Sequence, residues 1–281
     1  MTSSSPRAVI VSRIFTPEPS AASFRLDALA QAFRRASFDV DVLTTRFEKA
    51  RSESKAGYRV SRWPVLRDTN GYVRGYLNYL SFDIPLAFRL LVSPRPAVVI
   101  CEPPPTTGFI VRAVCALRRI PYVAYAPDLW SDAMESMTSP GVVKRAVRML
   151  ERSVYRGARL TLSVSSGITE RLEKWICAER IATVGNGIDT SVFERAGAAH
   201  DLGVPYLLYA GTASEFQGAS IFVDAFNTIA DAQPDARIVF LGQGSEFDAI
   251  RAAAAQRADG RIEVFDRVSP AEAAQWLRGA R

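Results

Sequence analysis

The sequence predicts an α/β protein with two Rossmann-like domains, each built on a parallel sheet, and with the second sheet incomplete. Short apolar segments alternate with longer stretches of helical periodicity, which is the pattern of parallel strands joined by crossover helices. Several apolar segments, such as 98–100 and 122–126, are almost uninterrupted, as expected for strands covered on both faces. A glycine-rich turn near residue 186 separates a first series of these units from a second.

The first series is assigned in chain order from its hydrophobic pattern. Its predicted strands are 8–12, 40–45, 58–63, 97–101, 122–126, 160–164 and 181–184. Its predicted helices are 23–35, 72–92, 107–118, 142–156 and 166–176. Each helix lies between two strands, as a parallel sheet requires.

The second series begins after the turn at 183–193. Gly185, Asn186 and Gly187 tolerate a left-handed backbone, so the chain can leave the first sheet sharply there. The predicted strands that follow are 206–210, 237–241 and 262–265, with helices at 218–231, 246–257 and 270–277. We therefore expect a first domain at 1–190, a linker at 191–205 and a second domain at 206–281. A complete half-domain has more strands, so we expect the second domain to be truncated.

Composition excludes several classes of site. The only histidine is His200, which disfavours a histidine base or a metal centre, and we expect no metal. Cys101, Cys115 and Cys177 are odd in number and widely spaced, as is typical of reduced thiols in a cytoplasmic protein. No signal peptide and no apolar stretch of 18 residues is evident. We therefore expect a cytoplasmic protein.

Charge is unevenly distributed between the two series. Residues 1–200 carry a balance of +10 and residues 201–281 a balance of −4, which gives the net charge of +6. A basic first domain favours an anionic partner, although an arginine-rich genome composition explains the bias equally well. One helix carries a cationic stripe, which is either a solvated face or a contact for anionic lipid or a diphosphate-bearing acceptor. Its members are Lys144, Arg148, Arg152 and Arg156.

The loop at 16–25 follows the first strand and leads into a helix. Ser20 or Ser23 can cap that helix, and the free amides of its first turn suit a phosphate. Arg25, one turn into the helix, could add a two-pronged contact. The alternative is a capped helix with a solvated arginine.

Two further strand ends carry acidic residues. Glu102 is the only charge in the proline-rich segment 101–108, which favours a substrate-binding loop at the sheet edge. In the segment 126–136, Asp128 and Asp132 would share a face if a helix begins there, and Trp130 could stack on a sugar ring. The alternative for this segment is a helix cap with a core tryptophan. The aromatic segment 71–82 fits either a membrane interface or, better, the core.

In the second series, two glycine turns follow adjacent strands and open helices, at 209–218 and 240–247. Gly211, Gly242 and Gly244 would let the backbone approach a ligand closely. Two such turns at one sheet edge, together with the hinge, predict a ligand in a crevice between the domains.

Taken together, these segments resemble the GT-B-fold retaining glycosyltransferases of the glycosyl transferases group 1 family. The resemblance is to the branch of bacterial surface-polysaccharide enzymes that includes colanic-acid and fucosamine transferases. It is carried by PEPSAASFR (17–25), PDLWSDA (127–133), SVSSGIT (163–169), GNGIDTSVF (185–193), GTASEFQG (211–218) and GQGSE (242–246). The ordered series is more specific than any one motif.

The resemblance implies transfer of a sugar from a nucleotide-diphosphate donor to an acceptor hydroxyl with retention. It implies a nucleotide-sugar co-substrate and a glycan or lipid-linked acceptor. We expect no nucleic-acid partner, and if the basic stripe contacts anionic lipid, we expect peripheral contact with the inner face of the plasma membrane. The catalytic candidate is Asp128. The donor contacts implied are Gly211, Thr212, Gln217, Gly242, Gly244 and Glu246, and the acceptor or crevice contacts are Glu18, Ser23, Arg25, Glu102 and Asp132.

The chain also departs from the family pattern. Thr212 and Gln217 stand where many members carry Arg and Lys for the donor diphosphate, and Pro127 replaces the usual Arg before Asp128. The family's Glu-x7-Glu segment would lie beyond Arg281, so we expect the 281-residue chain alone to be inactive. Two alternatives remain open: a nucleotide-sugar 2-epimerase with the same fold, and a non-catalytic acceptor- or membrane-docking module.

Overall fold

The computed structural model describes residues 5–281 except 19, 48–52, 56, 69–70, 72, 74, 136–139, 189, 214–216 and 258, with backbone only at 53–55 and 76. The chain divides into two compact units, Met1–Ile188 and Asp189–Arg281. Residues 191–205, for which the sequence predicts a linker, fall within the second unit, where the His200 ring stacks on Trp276 at 3.5 Å.

The first unit contains an eight-stranded sheet in the order β3-β4-β2-β1-β5-β6-β7-β8. All neighbours are parallel except β3, which pairs antiparallel with β4 at the edge. The strands are β1 (Arg7–Val11), β2 (Asp39–Thr45), β3 (Glu53–Lys55), β4 (Tyr58–Trp63), β5 (Val98–Cys101), β6 (Tyr122–Ala126), β7 (Leu160–Ser163) and β8 (Ile181–Thr183).

Helices cover both faces of this sheet. They are α1 (Ala21–Arg35), α2 (Tyr76–Val92), α3 (Pro105–Arg118), α4 (Trp130–Ala133), α5 (Gly141–Gly157) and α6 (Ser166–Glu173), followed by a 3-10 turn at Ala178–Arg180. Alternate residues of β1 point to opposite faces. Val9 and Val11 pack with α2, α3 and α5, whereas Ala8 and Ile10 pack with α1. The parallel strands are therefore buried on both sides.

The second unit contains a three-stranded parallel sheet in the order β11-β10-β9. Its elements are β9 (Tyr206–Thr212), α7 (Ser220–Ile229), β10 (Arg237–Gln243), α8 (Phe247–Gln256), β11 (Ile262–Asp266) and α9 (Pro270–Gly279). The core on one side centres on Phe226, Phe240 and Ile250, and that on the other on Tyr206, Val239 and Trp276.

The predicted α/β class is confirmed, and every strand predicted from the sequence is found within a few residues. The sequence missed β3, whose three residues carry no apolar pattern. It also missed that α4 begins at Trp130, so Asp128 precedes the helix and does not share a helical face with Asp132. The predicted start of α2 at residue 72 lies outside the described residues.

Candidate active site

The carboxyl ends of three neighbouring strands in the first unit carry polar side chains. Ser12 and Arg13 follow β1, Glu102 follows β5, and Asp128 lies two residues beyond β6. These strands are adjacent in the order β1-β5-β6. Because parallel strands end at one edge, the residues that the sequence placed at separate strand ends meet in one place.

Glu102 and Arg25 form a buried ion pair at this edge. One Glu102 oxygen accepts hydrogen bonds from Arg25 Nε at 2.8 Å and from its Nη2, and the other accepts one from Ser12 Oγ at 2.9 Å. Burial raises the pKa of Glu102, opposed by Arg25 and Ser12. The sequence predicted that Arg25 would contact a phosphate or lie in solvent, and the structure instead directs it to Glu102. It is 9% exposed because the carboxylate compensates its charge.

The helix amides predicted for phosphate are already engaged. Ser20 Oγ accepts a hydrogen bond from Ala22 N at 3.0 Å, and Ser20 O accepts from Ser23 N and Phe24 N. Ser20 is therefore the helix cap, one of the two serines proposed for that role. Ser23 is buried, and its hydroxyl donates to Glu18 O at 2.5 Å. The loop is thus closed on itself and supports α1.

Glu18 is held in the same loop by an arginine that the sequence analysis did not select. Arg67 Nη1 and Nη2 donate to its carboxylate at 3.3 and 3.2 Å. Arg67 Nη2 also donates to Thr45 Oγ1 at 2.8 Å. Burial raises the pKa of Glu18, and Arg67 opposes the shift. Glu18 therefore joins the loop to the ends of β2 and β4.

Arg13 and Asp83 are buried charged groups that sequence reasoning missed. The Arg13 guanidinium lies 4.0 Å from the centre of the Tyr79 ring and donates to Val73 O at 3.2 Å. One Asp83 oxygen accepts from Thr107 Oγ1 at 2.5 Å, whereas the other is buried without a partner among the described residues. Burial raises the pKa of Asp83. Arg13 could have been selected from the sequence as a site residue, because it follows the end of a predicted strand. Asp83 lies within a predominantly apolar helix, and no sequence pattern distinguishes it as a site residue.

Asp128 differs from the other carboxylates of the edge. It is exposed, and its side chain makes no hydrogen bond to the residues that the structure describes. Even so, desolvation by the surrounding protein raises the pKa of Asp128, and Arg25 opposes the shift. It is therefore a carboxylate with free acceptor oxygens beside a buried ion pair.

Glu151, not Asp128, caps the short helix that follows. Its two oxygens accept hydrogen bonds from Trp130 N at 2.6 Å and Ser131 N at 3.0 Å. The alternative interpretation of Asp128 as a helix cap is therefore wrong. Glu151 lies on α5, the helix that the sequence singled out for its cationic stripe.

The other residues of this segment bind within the protein. Asp132 forms an ion pair with Arg171. Trp130 contacts the Tyr79 ring edge-on at 6.1 Å, so its ring packs against the same tyrosine that lies under Arg13. Both residues are thus tied to α6 and α2 rather than to one helical face.

The cations of the proposed stripe on α5 also have partners. Lys144 Nζ donates to Glu135 O at 3.1 Å, and Arg148 pairs with the Glu135 carboxylate. Arg152 lies over the Trp175 ring at 5.6 Å, and Arg156 Nε donates to Trp175 O at 3.3 Å.

In the second unit, the glycines separate into two kinds. Gly242 pairs with Gly211 across β9 and β10, and a Cβ on Gly242 would lie 1.8 Å from Gly211 O. A Cβ on Gly244 would lie 2.1 Å from Ala213 O. By contrast, a Cβ on Gly211 would meet nothing within 4 Å. Gly242 and Gly244 therefore permit close approach between backbone segments, whereas Gly211 faces open space.

Glu246 caps a helix in this unit. Its Oε2 accepts from Ala219 N at 2.8 Å and from Ser220 N at 3.4 Å, at the start of α7. Thr212 ends β9, and its carbonyl accepts from Tyr209 OH at 2.9 Å. Residues 214–216, between Thr212 and Gln217, lie outside the described residues. Of the predicted donor contacts, Glu246 thus binds the N-terminus of α7.

Among the described residues, no group of three or more His, Cys, Asp or Glu side chains is arranged to hold a metal ion. Nor is any helix there both long and apolar enough to cross a membrane.

Residues 20–187 match the family of glycosyl transferase 4-like domains. The chain belongs to this family. The match includes Arg25, Glu102 and Asp128 and begins after Ser12, Arg13 and Glu18. No curated protein sequence matches this glycosyltransferase-family chain.

Solved glycosyltransferase structures share its fold, which is of the GT-B type. The catalytic domain of starch synthase IV from Arabidopsis thaliana, bound to ADP and acarbose, superposes with a TM-score of 0.69 at 10% identity, covering 99% of this chain and 77% of that one. Sucrose-phosphate synthase from Thermosynechococcus elongatus gives 0.73 at 14% identity, with coverages of 98% and 74%. HepE from Anabaena in complex with UDP-glucose gives 0.66 at 12% identity, with coverages of 96% and 72%. A UDP-N-acetylglucosamine 2-epimerase also shares the fold, with a TM-score of 0.62 at 13% identity.

Proposed function

We propose that this protein transfers a sugar, with retention, from a nucleotide-diphosphate donor to an acceptor hydroxyl in cell-surface polysaccharide synthesis. The observation that carries the proposal is the family match over residues 20–187. It is supported by the polar edge of the first sheet, where an exposed carboxylate lies beside a buried ion pair.

Asp128 is the residue proposed to act on the acceptor. Its oxygens are free to accept a hydrogen bond from an incoming hydroxyl, and its raised pKa makes it a stronger base than an ordinary aspartate. The hydroxyl oxygen would bond to the anomeric carbon as the bond from that carbon to the diphosphate breaks. The hydroxyl proton would pass to Asp128 or to the leaving diphosphate oxygen.

The buried charges around Asp128 are proposed to position the acceptor. Arg25 and Glu102 hold each other in a buried ion pair beside the site. Glu18, Ser23 and Asp132 would define its rim, through the loop contacts and the ion pair described above. Fixed polar groups of this kind lower the cost of reorganisation during the reaction.

On the donor side, the proposal assigns the nucleotide-sugar to the glycine turns of the second unit. Gly211 leaves open space beside the end of β9, and Thr212, Gln217, Gly242, Gly244 and Glu246 would complete the site. Some solved structures with this fold hold UDP-glucose or ADP, which supports a nucleotide-diphosphate donor. The acceptor would be a glycan or a lipid-linked sugar at the inner face of the plasma membrane.

The direct test is acceptor-dependent release of nucleoside diphosphate. UDP- and GDP-sugars would be supplied with and without a polyprenyl-diphosphate-linked glycan, and the anomeric configuration of the product read by NMR. We expect release from one donor that requires the acceptor, with the donor configuration kept. An inverted product would refute retention. Because the 281 residues alone are expected to be inactive, the transferase is refuted if a form of the protein that also carries a Glu-x7-Glu segment shows no acceptor-dependent release from any donor.

A second candidate function is epimerisation of a nucleotide-sugar, because a UDP-N-acetylglucosamine 2-epimerase shares the fold. An epimerase would invert C2 of UDP-N-acetylglucosamine without any acceptor, which the same NMR experiment detects. A non-catalytic docking module would bind the glycan and release nothing.

A further inference from the structure

The side chains that helix α2 exposes are apolar at every position for which the structure describes the side chain. Its inner face, with Phe82, Leu86 and Leu90, lies in the core of the first unit. The exposed positions that the structure describes on this helix are Leu77, Leu80, Ile84, Phe88, Leu91 and Val92. A helical face made of large apolar side chains is normally buried, but this face of α2 is uncovered in this unit. With 17 residues, the helix is about 25 Å long.

The uncovered surface continues onto the two neighbouring helices. Helix α3 packs against both α2 and α5, and all three pack on the same face of the sheet. Helix α3 exposes Phe109 and Leu117, and α5 exposes Val142 and Met149. Large exposed apolar patches mark interaction sites rather than ordinary protein surface. We call this surface the α2–α3–α5 face.

The exposed charges that the structure describes on the three helices of the α2–α3–α5 face have one sign. Asp83 and Glu151, the acidic residues of these helices, are both buried. Every exposed side chain that the structure describes on the three helices is apolar or an arginine. Arg145 is exposed and has no hydrogen-bond or ion-pair partner among the described residues. At the C-terminal end of α2, the guanidinium of Arg95 donates to Arg119 O, which holds two exposed arginines beside the apolar row.

We propose that the α2–α3–α5 face docks on an anionic lipid bilayer, with α2 lying in the plane of the headgroups. Apolar side chains flanked by arginines, with no exposed carboxylate among the described residues of the three helices, match the acyl and headgroup layers of such a surface. The exposed carboxylate of Glu135 lies beside α5, where Arg148 compensates its charge. A second copy of the chain fits less well, because a symmetric contact would bring arginines of like charge together. The inference does not rest on the sugar-transfer chemistry.

This surface differs from the basic stripe that the sequence suggested. Lys144 and Arg148 are engaged with Glu135, and Arg152 and Arg156 with Trp175. The exposed apolar row of α2 therefore supplies the docking surface, and arginines such as Arg145 supply its salt dependence.

The test is flotation of the full chain with vesicles of phosphatidylcholine containing about 30% phosphatidylglycerol, a mixture chosen to give a negative surface potential. We expect binding that weakens at least tenfold between low and physiological salt and that is absent on pure phosphatidylcholine. Ile84→Glu should reduce binding at least tenfold, because it places a carboxylate in the apolar row. The matched control is Ile221→Glu on α7, since Ile221 is 66% exposed and Ile84 64%. This control should bind as the unchanged protein does.

The charge contribution is tested by Arg119→Gln with Arg145→Gln, which should weaken binding and flatten its salt dependence. Circular dichroism melting would show that each variant is folded. Failure of the unchanged protein to bind anionic vesicles would overturn the proposal, as would equal losses for Ile84→Glu and Ile221→Glu. A lipid-free dimer that Ile84→Glu dissociates would assign the face to a second copy. No nucleotide-sugar enters these assays, so their failure is distinct from failure of the transferase proposal.

Discussion

In a form of the protein that is active in transfer, replacing Asp128 with asparagine should slow the reaction without destabilising the fold. Asparagine keeps the shape of the side chain and removes its charge. The Asp128 carboxylate makes no hydrogen bond to described residues and is exposed, so the free energy of unfolding should change by less than about 0.5 kcal/mol. In a unit of this size, that corresponds to less than about 2 °C in Tm.

The expected loss of rate is much larger. A positioned general base contributes about 10²–10⁴-fold, or roughly 3–5 kcal/mol of transition-state free energy. Because burial raises the pKa of Asp128, the acid limb of the pH–rate profile should lie above the usual carboxyl value of about 3.9. Steady-state release of nucleoside diphosphate across pH measures both effects.

Glu151→Gln is the matched control, because Glu151 is the carboxylate that caps α4. Its charged hydrogen bonds are each worth about 1.5–3 kcal/mol, and glutamine keeps one acceptor oxygen. We expect a loss of about 2–3 kcal/mol in the free energy of unfolding, roughly 4–12 °C in Tm. If Asp128→Asn instead lowers Tm while the rate stays within a few-fold, the catalytic role is refuted.

Three further predictions concern the stability of each unit. Gly242→Ala should lower the unfolding free energy of the second unit by about 3 kcal/mol, since its Cβ would collide with Gly211 O. Gly211→Ala should cost only about 1 kcal/mol of backbone strain, and calorimetry compares the two. Arg25→Gln should cost about 3–5 kcal/mol by leaving Glu102 buried and uncompensated, and the double change to Gln at both positions should recover part of it in urea melts. Burial raises the pKa of Asp41, but hydrogen bonds from two arginines outweigh it and hold that pKa below its usual range. The contribution of Asp41 to the free energy of unfolding is therefore fully present above about pH 4 and is lost as pH falls further. Asp41→Asn should accordingly reduce the pH dependence of the free energy of unfolding on the acid side.

The sequence was sufficient for the elements and for which strand ends carry polar groups. Hydrophobic period is a local property, so β1, β5 and β6 and the helices between them could be located from their own residues. The N-cap of α1 could also be predicted from the sequence, because a capping serine bonds to backbone amides only two or three residues away. The positions of Glu102 and Asp128 after strands followed from the same pattern.

Only the tertiary structure decided what each of these charges does. Arg25 and Glu102 are 77 positions apart in the chain, and they meet because β1 and β5 are neighbours in the sheet. Likewise, Glu151 on α5 accepts hydrogen bonds from the first amides of α4, so Asp128 does not cap that helix. A buried charge must find a compensating partner, and the order in which strands and helices pack determines which partner is within reach. The sequence by itself therefore determined that this edge of the sheet is polar. Packing decided that Asp128 has no hydrogen bond to any residue that the structure describes.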